Sequence, residues 1–529
     1  MFESWWWVFN DVCVEDESIV VYDPQVVGLD PTGEKTPRVD LSAIQYMFRH
    51  APYDLVRKAV EDGLPHHVGN ATQHSLDLPN AVHTSNHHRL PYQLNIRYPT
   101  EREVASKPKF SGCTVPVLTY CHWPHNFGEY FIRTPSIIHR FQEIKALSRN
   151  MTYLVGLPPN MPADPFNIDL LRPLSIYEPT TWREFSRPLP EGTPSNHTAE
   201  GVAVRCFERM IVGRLQGGSY PEVVRTAEDI YEYYAAKPGG PPPKGPRWHS
   251  NVTNPPNTIK VLIEHRPYGG TRQFLHSDEL LRECNSAAPL PGPDGRQIKV
   301  ECRLHTFGAS LVEDLRAVGD ADVLVAFHGA GAMNAAFMPR RSSLLEVRPR
   351  EFGTKHGGWP NQWQPTIAHQ SKYEHYFFWG LCVDDPELSP PGEQEAAGLE
   401  GGAFAARDRH VHLKWPMLKT PLERILQIKG SVDLYEEAVV KNDLMWLVEP
   451  GGSMRPAPEL TEAIGLKPWR IRTPPKPRRV LDEVLSSPAA AGSLLGPSQT
   501  LGSRLRSALG PWLPEAWRSE QDDWRWGRG

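Results

Sequence analysis

The sequence predicts an α/β protein built from two Rossmann-like domains that face each other across a cleft. Three observations carry that expectation. A chain of 529 residues exceeds what one ordinary hydrophobic core covers, so two domains of roughly 200 residues each fit it better. Past residue 258, β-branched apolar runs alternate with helix-length stretches, the pattern of a parallel sheet covered by helices on both faces. Between the halves, KPGGPPPKGP (Lys237–Pro246) continues neither helix nor sheet, because consecutive prolines remove donors and fix the backbone.

Taken in order, residues 1–236 form the first α/β domain, on the acceptor side of the cleft. Short apolar runs such as SIVVYDP come first, followed by a histidine-rich stretch from His66 to His88 that lacks helical periodicity and reads as a loop. VPVLTY then predicts a strand and TPSIIHRFQEIKALS a helix, and VRCFERMIVG precedes a helix-like EVVRTAEDIYEYYAA. Residues 237–258 are the linker. Residues 259–450 form the second domain, where TIKVLIEH, SDELLREC, QIKVECRL, SLVEDLRAVG, ADVLVAFHGAG and SSLLEVRP supply strands and helices in turn. Right-handed crossovers follow from strand twist. Residues 467–529, rich in Pro, Arg and Trp, have no core of their own.

Composition narrows the function. With 57 basic and 62 acidic residues, a net charge of -5 leaves no electrostatic footprint for nucleic acid or an anionic membrane. The 53 prolines and 41 glycines and a mean hydropathy of -0.46 imply long irregular connections. Seven cysteines without a CxxC pair give no support to structural zinc or thioredoxin-like chemistry, and the odd count leaves a free thiol. Acceptor sequons at Asn70, Asn150, Asn196 and Asn251 suit a lumenal or secreted protein. MFESWWWVFNDVCVEDE is not a signal peptide, and no run of 18 apolar residues occurs. A targeting segment or membrane anchor would then lie outside this chain.

The most informative segment is DVLVAFHGAGAMNAAF. An apolar strand ends at Phe327, and Gly329 and Gly331 let backbone amides approach a ligand closely. Ligands of open parallel sheets sit beyond the carboxyl ends of strands, where a helix N-terminus presents unpaired donors. A diphosphate is the natural occupant; the plainer alternative is a tight turn with His328 hydrogen-bonded locally. Arg266 and Arg272, following a strand of the same sheet, can converge on that edge and grip phosphate oxygens bidentately. Ordinary surface arginines are the alternative. Glu346, ending SSLLEV on the same side, suits the two ribose hydroxyls, or else pairs with Arg348.

Several segments together resemble glycosyltransferase family 61, which includes plant xylosyl- and arabinosyltransferases and animal O-linked N-acetylglucosaminyltransferases. They are VFNDVCVEDESIVVYDP, HNFGEYFIRTP, VRCFERMIVG, HRPYGGTRQFLHSDEL, DVLVAFHGAGAMNAAFMPRRSSLLEVRP and SKYEHYFFWGL, spanning Trp5 to Leu447. The HGAG segment followed by LLEV is the most specific. The resemblance implies a GT-B fold, inverting transfer from a UDP-sugar to a glycan or glycoprotein, no cofactor or essential metal, and a type II membrane protein of the Golgi or endoplasmic reticulum lumen. Carried onto this chain, the donor site comprises His328, Gly329, Ala330, Gly331, Asn334 and Glu346, with Arg266 and Arg272 near the diphosphate. One departure stands out: this chain has Glu129 where the family generally has histidine, and Arg133 where it often has an acidic residue.

An inverting transfer needs a base for the acceptor hydroxyl and donors for the leaving diphosphate. Position leaves His125 and Glu129, beside Asn126, as candidates for the base, with hydrogen-bonded loop residues as the alternative. Asp320 and Asp322 in GDADV imitate a metal-binding DxD but precede their strand, at the edge opposite the loop. The histidines of 66–88 are irregularly spaced for a metal pair. No GxSxG or HExxH occurs. The competing reading is a non-catalytic GT-B protein that binds a glycan or a partner protein; an epimerase would require a second nucleotide fingerprint.

Overall fold

The structure is a computed structural model. It describes residues 5–15, 17–22, 95–97, 99–100, 103, 105, 108–121, 124–143, 145, 147–157, 162–187, 205–214, 220–244, 257–266, 271–292, 295–352, 354, 363–396, 398, 401–428 and 430–469. Asn70, Asn196, Asn251, the histidines from His66 to His88, linker residues 245–256 and the tail beyond Trp469 lie outside these. Both sheets belong to one compact unit, Met1–Arg472.

The first sheet contains β1 (Trp5–Glu15), β2 (Ser18–Val21), β3 (Asn95–Arg97), β4 (Pro116–Tyr120), β5 (Thr152–Gly156), β6 (Thr180–Thr181) and β7 (Arg205–Arg214), in the order β3-β2-β1-β7-β4-β5-β6. β7, β4, β5 and β6 are parallel. β1 joins them antiparallel to β7, with Cys13 and Cys206 as Cα partners linked by a disulfide. Every residue of β4 and β5 is buried, as layers on both faces require. The expected helix after VPVLTY is two helices, Phe127–Arg133 and Pro135–Glu143. The break falls at Pro135, whose ring opens the second helix and cannot continue the first.

The second sheet contains β8 (Thr258–Glu264), β9 (Leu290–Pro291), β10 (Gln297–His305), β11 (Val323–Phe327), β12 (Ser342–Arg348), β13 (Tyr376–Val383), β14 (Met445–Val448) and β15 (Met454–Pro456), in the order β15-β14-β13-β12-β11-β8-β10-β9. Its six central strands are parallel, and only β9 and β15, at the edges, run antiparallel. β11, β12 and β13 are buried throughout, whereas β10, near an edge, alternates buried with exposed residues. A second disulfide ties Cys284, in the helix Ser277–Ser286, to Cys302 of β10. Between the sheets, Lys237–Lys244 is neither helix nor strand; Tyr231 Oη and Arg316 Nη2 donate to the carbonyls of Pro242 and Gly239 at 2.7 Å each.

Helices packed beside the two sheets meet in an aromatic cluster. Phe337, wholly buried, lies 5.1 Å from the Phe131 ring and 6.3 Å from the Phe127 ring, and Phe127 meets Phe166 edge-on at 5.5 Å. Nearby, Arg340 grips Glu228 of the helix Tyr220–Ala235 through Nε at 2.7 Å and Nη2 at 3.0 Å. Apolar rings of this size dominate the packing energy where they are buried. Phe337→Ala is therefore expected to destabilise the protein by about 3–5 kcal/mol, measured by urea unfolding. A loss near zero would show that the cluster does not hold the two sheets together.

Candidate functional site

The second sheet reverses direction at β8. β10 pairs on one side of it and β11, next in the chain, on the other. In open α/β sheets ligands occupy the crevice outside the carboxyl ends of such strands. Here that crevice is flanked by Glu264, the last residue of β8, with Arg266 just beyond it, and by His328 and Gly329, which follow β11.

Gly329 has φ 140°, a conformation unfavourable for any residue with a Cβ. A Cβ there would also come within 2.3 Å of Arg272 Nη1, with Arg266 Nη2 at 3.8 Å. Two arginines thus lie against the backbone of the loop. Arg272 is buried and donates from Nη1 to the His328 carbonyl at 2.9 Å, with Nε 3.4 Å from Asp408 Oδ1. Burial, followed by the nearby Arg266 charge, pushes its pKa well below the usual arginine value, a sign that its positive charge is held there at a cost. Arg407 pairs bidentately with Asp408, at 2.7 and 2.9 Å. Beneath the loop, Glu264 Oε2 accepts from the Phe327 amide at 2.9 Å and Oε1 accepts from Arg266 Nε at 2.9 Å. Oε1 would lie 2.1 Å from a Cβ on Gly331, so the second glycine makes room for this carboxylate.

After Gly329 the chain forms a 3₁₀ helix, Ala330–Phe337, long for its kind, rather than an α-helix. Asn334 is buried and donates from Nδ2 to the Gly331 carbonyl at 3.0 Å, so its amide braces the turn from within. Gly329 and Ala330 keep partial exposure where His328 and Gly331 are buried.

Behind the loop stands a buried charge pair. Glu346 is fully buried; Oε1 accepts from Arg348 Nε at 2.7 Å, and His328 Nδ1 lies 3.2 Å away, off the hydrogen-bonding direction. Oε2 has no hydrogen-bond donor among the described residues. Burial alone would raise the Glu346 pKa, but Arg348 and His328 overcome it and hold the group at about 2. Burial lowers that of His328 despite Glu346, favouring a neutral ring packed 5.0 Å from Phe352.

The first sheet also reverses at a strand, β4, between β5 and the later β7. His125 follows the carboxyl end of β4, and Asn126 caps the next helix by accepting the Glu129 amide at 3.1 Å. A Cβ on Gly128 of that helix would lie 2.7 Å from Met333 Cγ and 3.3 Å from Ala330 Cα, so the helix touches the glycine loop with no atom to spare. His125 Nδ1 is 2.6 Å from Asp164 Oδ2. Glu129 is buried, and its Oε2 accepts from Arg133 Nε at 2.5 Å; burial raises its pKa and Arg133 works against that rise. His125 and Glu129 thus lie beyond β4 of the first sheet, and Arg266, Arg272, His328, Gly329, Ala330, Gly331, Asn334 and Glu346 at or behind the β8/β11 loop, with Gly128 touching that loop at Ala330 and Met333. Glu264, Asp164, Arg407 and Asp408 carry no motif. For Glu264 alone a local signal exists, since a carboxylate at a strand end two residues before Arg266 marks the same crevice.

The sequence profile of the family described as Glycosyltransferase 61 matches residues 120–345, from the end of β4 into β12, a span that includes both crevices. This match supports an assignment to glycosyltransferase family 61 over that span. A search of curated proteins found no match. The protein is a glycosyltransferase, a class that takes its sugar from a nucleotide-sugar donor and passes it to an acceptor.

Asp320 and Asp322 lie at the amino edge of β11. Asp320 pairs with Lys260 Nζ at 2.8 Å and Arg303 Nη1 at 3.2 Å, and Asp322 accepts the Lys260 amide at 2.8 Å. Among the described residues no group of three His, Cys, Asp or Glu side chains is arranged to hold a metal, and no helix is long and apolar enough to cross a membrane. Asn150 is exposed in the turn before β5.

A carboxylate held at about 2, below the usual value of about 4.3, stabilises the fold fully above roughly pH 5, and that contribution disappears as pH falls toward 2. Glu346→Gln leaves Arg348 buried without a countercharge, and should cost about 3–5 kcal/mol at neutral pH. Urea unfolding at pH 7 and pH 3 checks both points: the variant's deficit shrinks at pH 3. An equal deficit at both pH values would mean that the carboxylate charge is not what stabilises the loop.

Proposed function

We propose that this glycosyltransferase has the GT-B arrangement and transfers one sugar, a pentose or N-acetylglucosamine, with inversion from a UDP-sugar to a glycan or protein hydroxyl. The observation that carries the donor site is the pair Arg266 and Arg272 lying against Gly329 at the β8/β11 crevice. A buried guanidinium whose Nε faces Asp408 at 3.4 Å but makes no hydrogen bond among the described residues, and whose pKa is depressed, gains from an arriving anion, which offsets its desolvation. Backbone amides of a glycine loop and two forked cations suit a diphosphate. The same cations stabilise the charge that develops as the nucleoside diphosphate leaves, so the transfer needs no metal. Glu346 and Arg348 keep His328 in register behind the loop, and Asn334 braces it. The acceptor enters from the β4/β7 side, where His125 and Glu129 are the two candidates for the group that takes its proton.

The oxidising lumen of the Golgi or endoplasmic reticulum suits the two disulfides, Cys13–Cys206 and Cys284–Cys302, since such bridges persist where thiols are not kept reduced. The exposed sequon at Asn150 agrees with that compartment.

The donor reading is tested by a thermal-shift and calorimetric screen of UDP, UDP-sugars and GDP, with and without EDTA. A ligand at 100 times its dissociation constant adds about 2.7 kcal/mol to stability, so a UDP-selective rise that EDTA leaves intact is expected. Arg266→Ala should weaken UDP binding by about tenfold or more, the value of one charge-assisted hydrogen bond. Gly329→Ala, strained in φ and pressed against Arg272, should weaken it further. Wild-type affinity in both variants would remove the loop from the donor site.

A further inference from the structure

We infer that Asp164 fixes His125 as the base that takes the acceptor proton, an assignment that rests on the transferase reading above. The pair is close: His125 Nδ1 lies 2.6 Å from Asp164 Oδ2. An ionised carboxylate only accepts, so Nδ1 carries the hydrogen and Nε2 keeps its lone pair. Nε2 is buried and has no hydrogen-bond partner among the described residues. A bare acceptor inside a protein is costly and calls for a reason, and a lone pair awaiting an acceptor hydroxyl supplies one.

The surroundings hold this geometry firmly. Asn167, wholly buried, accepts the Asp164 amide through Oδ1 at 2.9 Å and donates from Nδ2 to the Pro124 carbonyl, also at 2.9 Å. Tyr130 Oη donates to the Asn167 carbonyl at 2.9 Å. One asparagine thus anchors the residue before His125 and the backbone of its carboxylate partner, so imidazole and carboxylate are set before any substrate arrives. The segment also has the right address. His125 follows β4 at the first sheet's reversal, and Gly128, three residues on, touches the donor loop at Ala330 and Met333. Glu129 lacks this freedom: Arg133, one turn along the same helix, takes its Oε2 at 2.5 Å. His125 and Asp164 therefore do in this chain what Glu129, tied to Arg133, does not.

The step balances without a co-reactant. The acceptor oxygen forms a bond to C1 of the sugar as its proton passes to His125 Nε2. The bond from C1 to the phosphate oxygen breaks, and the nucleoside diphosphate leaves with the electron pair beside Arg266 and Arg272. Asp164 stabilises the resulting imidazolium, which returns its proton to solvent when product leaves.

The test uses the full chain and measures UDP release from UDP-xylose and UDP-N-acetylglucosamine with water as acceptor, beside UDP affinity by calorimetry. His125→Ala should lower kcat by about 10²–10⁴-fold with KM for the donor within about twofold, and added imidazole should restore part of the loss. Asp164→Asn, a positioning change, should lower kcat with KM unchanged, and the double variant should be no slower than His125→Ala alone. Should His125→Ala melt early, His125→Gln carries the kcat comparison. Unchanged kcat in either His125 variant overturns the assignment. So does a folded, UDP-binding His125→Ala that imidazole does not rescue, or a wild-type chain that binds UDP but releases none from either donor. A wild-type chain that fails to bind UDP overturns instead the UDP-sugar reading beneath it.

Discussion

The buried carboxylate of Glu264 is the point on which the β8/β11 crevice turns. It accepts the amide of Phe327, the last residue of β11, and with its other oxygen the side chain of Arg266. One group therefore joins the ends of β8 and β11 across the reversal and directs a cation to the mouth of the crevice. A buried acceptor with both oxygens engaged is satisfied, whereas the same carboxylate with one oxygen bare would be costly. Gly331 follows from it, since a larger residue would occupy the carboxylate's space.

Around this point the two sheets are joined by contacts of different kinds. Gly128 against Ala330 is a contact of backbone and small side chains, the Phe127, Phe131 and Phe337 cluster is apolar, and Glu228 with Arg340 is a surface ion pair. His375 adds a fourth kind: its Nε2 bonds the Ala336 carbonyl at 2.6 Å while Nδ1 stands 3.5 Å from Glu228. Three of these four end on the 3₁₀ segment Ala330–Phe337, and the ion pair lies three residues beyond it. The glycine loop is therefore placed by the first half of the chain as much as by its own sheet.

Much of the second sheet was legible because its information is local. TIKVLIEH, QIKVECRL, VLVAF and SSLLEV are β8, β10, β11 and β12 nearly as read, and the helices between them match SDELLREC and SLVEDLRAVG. The glycine loop and its arginines were legible for the same reason, since strand ends and turn residues mark a crevice wherever a parallel sheet reverses. The first half was harder. β1 pairs with β7, and Cys13 with Cys206 across 193 residues, which no local pattern encodes. The helix Phe127–Arg133 is seven residues long with a glycine inside, too short for periodicity to declare. Asp164 and Asp408 reach the site from distant segments, and the charge partner of Glu346 was foreseeable only because Arg348 is two residues away on the same strand.

Arg272 occupies a left-handed backbone conformation, φ 59°, and His276 in the same segment another, φ 54°. Glycine or asparagine is at ease there; a long β-carbon-bearing side chain is not. The segment bears that strain while delivering a buried cation to the loop. Local comfort and charge delivery oppose each other at this position. Selection for thermal resistance alone would favour glycine at 272, relaxing the backbone and removing an awkward charge, and would yield a sturdier protein with a poorer anion cradle.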